Sequence, residues 1–135
     1  MPSIWTRAFL LIGGLLMATA VAAGAFAAHG LSRLVAPELV AWFEIGVRYQ
    51  LIHGLAVVVC GVLTSFTTIR RVAIVAGLLF TLGCLLFCAS LYLRVLTDNA
   101  SWGALAPFGG ASFIAGWLVL GLGAWFAKPR SVNAQ

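Results

Sequence analysis

Apolar residues along this chain fall into four long runs separated by short polar breaks. The runs cover about Arg7–Ala28, Ile45–Phe66, Val72–Leu93 and Phe108–Ala127. About 20 apolar residues carry an α-helix across the ~30 Å hydrocarbon core of a bilayer, so each run is long enough to cross. The pattern predicts an all-α integral membrane protein, one domain over residues 1–135 folded as a four-transmembrane-helix bundle.

The breaks add detail. Between the first and second runs lies GLSRLVAPELVAWFEIG, where Pro37 and Glu38 fit a helix start. Leu39, Val40, Trp42 and Phe43 then predict a short interfacial helix, with the Trp and Phe rings at headgroup level. The second break is the tight TTIRR, and the third, TDNASWGALAP, is punctuated as a polar turn by Asp98, Asn99, Gly103 and Pro107. The tail KPRSVNAQ reads as a polar end.

Basic residues near the span ends set the direction of crossing, because the cytoplasmic side keeps the positive excess. With four crossings the N-terminus, the second break and the tail share a side, which carries Arg7, Arg70, Arg71, Lys128 and Arg130. The opposite side carries Arg33, Arg48 and Arg94, partly offset by Glu38, Glu44 and Asp98. Both termini are therefore expected in the cytoplasm. Residues 1–28 also share features of a secretory signal: a short basic head, an apolar run, and Ala25-Phe26-Ala27 as a cleavage-like stretch. The run is long for that purpose, and its removal would leave three crossings with the amino end outside.

Composition agrees with this architecture and narrows the function. Hydrophobic residues make up 63% of the 135 positions and charged residues 8%, against roughly 45–50% and about 25% in soluble domains. The net charge of +5 comes from residues flanking apolar runs. It is not a basic stripe interleaved with stacking aromatics, so nucleic acid is not an expected partner. Cys60, Cys84 and Cys88 all sit inside apolar runs, where thiols behave as small hydrophobes. No CxxC occurs, and Cys84 and Cys88 stand too far apart on a regular helix for an unstrained disulfide.

Small residues recur at i+4 as Gly14, Ala18 and Ala22 in the first run and as Ser112 and Gly116 in the fourth, with Gly123 seven residues on. Such faces let helix backbones approach closely in lipid. They serve the bundle itself, a homo-oligomer or a partner membrane protein equally well.

Polar residues gather at one end of the runs. The second helix brings Arg48, Tyr49, Gln50 and His53, and the third brings Ser90, Tyr92 and Arg94. His29 closes the first run, and Pro107, Gly109 and Gly110 open the fourth. Gly46, Gln50 and His53 follow i, i+4, i+7 on one face, and His53 lies roughly 12 Å into the run from Ile45. Ionisable groups inside a membrane normally face protein or a water-filled cavity. These residues predict an outward-opening polar pocket near the outer leaflet, roofed by the Pro107–Gly110 turn. Each also has a plain structural role open to it: Arg48 and Arg94 can snorkel, Tyr49 and Tyr92 can serve an interfacial belt, and Gln50 and His53 can bind helix to helix.

The stretches GAFAAHGL (Gly24–Leu31), YQLIH (Tyr49–His53), LFCASLY (Leu86–Tyr92) and APFGGASFIAGW (Ala106–Trp117) resemble the signatures of a small bacterial inner-membrane family, the UPF-type, YgdD-like proteins, a domain family of unknown function. The resemblance covers nearly the whole chain. It departs at Ala27, where family members carry glycine, at Cys88-Ala89, where they carry Ser-Gly, and at Ala106, where they carry Thr. The resemblance implies four membrane helices and an inner-membrane location, and it implies no reaction.

No paired carboxylates, HExxH or nucleophile–base spacing appears, so an enzyme is not expected. The expectation is a non-enzymatic, multi-pass protein of the lipid bilayer, structural or accessory, or binding a small ligand in the polar cluster, with no cofactor. The alternative is a small transporter or channel that uses His53 as its proton-accepting group. A haem or metal site built from His29 and His53 is the weaker third reading.

Overall fold

A computed structural model describes residues 1–127. Lys128 and Arg130, counted above toward the charge of one side, lie outside the described residues. Four helices are long and apolar enough to cross a membrane.

The first, α1 (Ile4–His29), starts where the Ser3 hydroxyl accepts the Thr6 N–H at 3.1 Å. It ends as Gly30 donates its N–H to the Phe26 carbonyl. One 3₁₀ turn, Leu31–Arg33, leads to α2 (Pro37–Leu63), which begins with Pro37 in its first turn, where a missing N–H costs nothing. The third span is one rod, Arg70–Leu96, made of α3 (Arg70–Gly83), a π-helical segment (Cys84–Cys88) and α4 (Ala89–Leu96). A 3₁₀ stretch, Ala100–Leu105, then feeds α5 (Ala106–Phe126).

Two expectations change here. Residues Pro37–Phe43, read above as a separate interfacial helix, are the first two turns of α2. Only Glu44, a good helix former, stands between Phe43 and Ile45, and with no proline there nothing ends the helix. The Pro107–Gly110 roof is not a turn either: Pro107 occupies the first turn of α5 and the helix runs on through both glycines. The α2 rod is 27 residues long, about 40 Å, so its ends reach past a ~30 Å hydrocarbon layer.

Packing follows the chain order. α1 lies along α2, α2 along the third span, and α3 along α5. A main core joins Phe9, Val57, Cys60, Phe80, Cys84 and Phe113 from four helices. A second, smaller core of Ala27, Leu31, Phe43, Val47 and Val95 closes the end where α1 stops and α2 starts. At Gly13 a Cβ would lie 2.6 Å from a Val58 methyl and 2.9 Å from the Gly54 carbonyl oxygen, so α1 and α2 touch almost backbone to backbone.

The two small-residue rows have opposite fates. Ser112 and Gly116 are buried, and Gly123 abuts Val72, so the α5 row packs inside the bundle. Gly14, Ala18 and Ala22 are exposed on the outer side of α1. Gly13, Ala20 and Ala27, spaced by sevens, form the buried line instead. The first line repeats every four residues and the second every seven, and the contacts with α2 choose the second.

A hydroxyl chain ties α1 to α2 at the other end. Thr64 donates to the Gly61 carbonyl at 2.7 Å, leaving its oxygen to accept from Thr6, also at 2.7 Å. Ser3 in turn donates to the Thr6 oxygen at 2.9 Å. Each hydroxyl has one proton, and this order uses each once.

Candidate functional site: two polar centres on opposite faces of α2

Gln50 and His53 are three residues apart on α2, and both are buried, at 6% and 4% exposure. Helix geometry turns them roughly 60° apart (three steps of about 100°), enough to send them to different neighbours. Gln50 faces α1 and α4. Its amide nitrogen donates to the Leu16 carbonyl at 2.9 Å and to the Thr19 hydroxyl at 2.8 Å. Its amide oxygen accepts from the Tyr92 hydroxyl at 2.8 Å. Thr19 passes its own proton to the Leu15 carbonyl, 2.8 Å away. One side chain thus bridges three helices.

His53 faces α3 and α5. Indole N–H is a donor only, so the 3.1 Å contact from Trp117 makes His53 Nε2 the acceptor. The proton of the neutral ring then sits on Nδ1 and is donated to the Tyr49 carbonyl at 2.8 Å. The ring lies flat on Phe113, centroids 3.5 Å apart and planes 12° from parallel. Tyr49 stacks beyond it at 5.8 Å and Phe80 flanks it at 5.7 Å.

The third span owes its face to the π segment. Its wide turn, closed by the Ala89 N–H on the Cys84 carbonyl, inserts one residue into the register and rotates the rest of the span by about 100°. Gly109 of α5 fits against this widened turn, where an added Cβ would strike the Phe87 backbone. Nearby, the Ser112 hydroxyl donates to the Leu79 carbonyl at 2.7 Å. Among the described residues no buried side-chain nitrogen or oxygen is left without a partner.

The eleven residues expected to share one pocket are therefore distributed. Gln50 meets Tyr92, and Tyr49 meets His53, in two separate centres. Counting 16 residues from Pro37 puts His53 about 24 Å along α2, past its midpoint and not at its head. His29 is exposed at the end of α1, so it and His53 do not form one ligand pair. Ser90 is buried but donates to the Phe87 carbonyl of its own span. Arg94 lies over the Trp42 ring at 5.0 Å, a cation–π contact at the bundle end. Arg48 and Pro107 are exposed, Gly109 is a packing contact, and Gly110 lines a groove.

That groove separates α2 from α5. Their backbones do not pack closely, and side chains bridge the gap. A hollow of about 320 Å³ is lined by Tyr49, Ile52, His53, Phe87, Gly110, Phe113, Ile114 and Trp117. A second hollow, about 360 Å³, lies on the other face against Thr19, Gln50, Leu85 and Tyr92. Thr19, Phe87, Phe113 and Trp117 were not singled out from the sequence. Trp117 alone left a signal: Trp5, Trp42, Trp102 and Trp125 fall near span ends, whereas Trp117 stands mid-helix, where its N–H needs a buried partner. Among the described residues no group of three or more His, Cys, Asp or Glu side chains is placed to hold a metal ion.

Fold and site together define a small multi-pass membrane protein, a bundle of four helices tied by buried polar bridges. The chain belongs to the family of proteins of unknown function DUF423, whose family model matches residues 23–110. A UPF0382 membrane protein of Staphylococcus haemolyticus is 40% identical over 84% of this chain and 92% of its own length. The UPF0382 inner membrane protein YgdD of Escherichia coli is 34% identical over the full length of both chains. No solved structure matches. The protein is thus a multi-pass protein of the bacterial inner, or cell, membrane.

Proposed function

We propose that this protein works without catalysis, as a membrane-embedded binder that admits a lipid-soluble ligand sideways into the groove between α2 and α5. One observation carries the reading: α2 and α5 stand apart and leave about 320 Å³ between them, lined by rings and opening toward lipid. Ligand sites are concave and mostly apolar, and the rings of Tyr49, His53, Phe113 and Trp117 supply such walls here. The hydrogen-bonding capacity of His53 is already taken up within the protein. That arrangement supports a wall of fixed shape over a proton carrier or a general base.

Gly110 provides the test. An added Cβ there meets nothing nearer than a Phe87 ring carbon at 4.0 Å, so Gly110→Leu fills the groove without moving a backbone. Wild-type protein purified in mild detergent is expected to carry a co-purifying amphiphile, detectable by mass spectrometry after solvent extraction. The Gly110→Leu protein is expected to lose it while keeping its helicity and yield. Equal cargo in both proteins would end this reading.

A further inference from the structure

Below the ring-lined hollow the same groove continues. A further hollow of about 250 Å³ is lined by Ile52, Leu55, Ala56, Val59, Trp117 and Leu120. The two share Ile52 and Trp117 as walls. Together they run from the level of Tyr49 to that of Val59, ten residues of α2 and therefore about 15 Å along the bundle. The lower part is lined almost wholly by aliphatic side chains. Two adjoining apolar hollows of this combined length, lying along the helices and open at the side, have the reach of an extended hydrocarbon chain.

The upper mouth is charged. Arg48 is exposed, one helical turn above Ile52 on the same face of α2 and next to Tyr49. From there its long side chain extends toward the headgroup layer. Glu44 lies one turn further toward the Pro37 end on that face, and no other charged residue belongs to the α2 or α5 turns that form the mouth. Resting on the groove-binding reading above, we infer that the occupant is an anionic phospholipid of the bilayer. One acyl chain lies between α2 and α5, and its phosphate sits on the Arg48 guanidinium. Arg48 supplies the donors that a phosphate accepts in a bidentate fashion. The groove supplies the surface that a free anion could not use.

Retained lipid is measured on the full chain after equilibration in micelles of equal phosphatidylglycerol and phosphatidylcholine. Wild-type protein is expected to hold the anionic lipid about fivefold over the zwitterionic one, the preference one arginine gives near a membrane surface. Arg48→Gln should bring that ratio to one with total lipid unchanged, and Arg48→Lys should restore most of it. Gly110→Leu should lower both lipids together. A wild-type ratio of one, or a ratio that Arg48→Gln leaves alone, overturns the headgroup assignment and leaves groove binding standing. A preference that depends on Arg48 but survives Gly110→Leu places the headgroup outside the groove and also overturns the inference. No retained lipid of either kind in the wild type, or a native mass showing a second copy over the groove, removes both readings.

Discussion

Gln50 and His53 occupy the same helix within one turn of each other, and the bundle treats them differently. On the Gln50 side the helices close: α1 comes within backbone contact of α2, and the amide finds three partners on two other helices. On the His53 side α2 and α5 remain apart, and stacked rings fill part of the space. A flexible amide with donors and an acceptor joins helices already in contact. An imidazole that accepts one indole N–H holds two helices at the width of a ring. Both devices satisfy buried polar groups, and only the second leaves a groove.

That contrast can be broken, most severely at the glycine where α5 meets the π turn. Gly109→Leu would drive a side chain into the Phe87 backbone, which cannot yield as a side chain would. The expected loss is about 3 kcal/mol, read as a much lower SDS concentration at half-unfolding. Its neighbour Gly110→Leu should unfold near the wild-type midpoint, because the same bulk there enters open space. Equal damage at the two positions would mean that α5 does not dock on Phe87 as described.

Next in size is Gln50→Ala, which removes three interhelical hydrogen bonds. At about 0.6 kcal/mol each in membrane proteins, the expected destabilisation is about 2 kcal/mol. A value near zero would show that the closed side is held by packing alone. His53→Phe should matter least, about 1 kcal/mol, since the stack on Phe113 is kept and two hydrogen bonds are lost, the one from Trp117 and the one to the Tyr49 carbonyl. A double variant of Gln50→Ala with His53→Phe should give the sum of the two, as expected for residues with no shared partner. Strong coupling between them would deny that the two centres are separate.

Much of this molecule was legible in the order of its residues. Four apolar runs specify four crossings because a bilayer leaves a helix no other way to satisfy its backbone. The Ser112–Gly116 row does pack inward, and Gln50 and His53 are indeed buried, as their place within an apolar run required. The start of α2 was less legible. Trp42 and Phe43 suit an interfacial helix and a long span alike, and continuity is settled by the contacts of Phe43 and Val47 in the second core.

The sequence by itself determined how many helices there are, that they live in lipid, and which polar residues lie within them. Period and composition are local properties, and lipid enforces them one helix at a time. Only the tertiary structure decided which side of α1 is inside, since Gly14-Ala18-Ala22 and Gly13-Ala20-Ala27 each offer a smooth face. It also decided that one expected pocket is two centres. That outcome depends on a single inserted residue in the π turn and on the partners that Trp117, Thr19 and Phe113 bring from distant segments. Rotation about a helix axis costs little in lipid until neighbours arrive, so the face each residue shows is fixed by the neighbours.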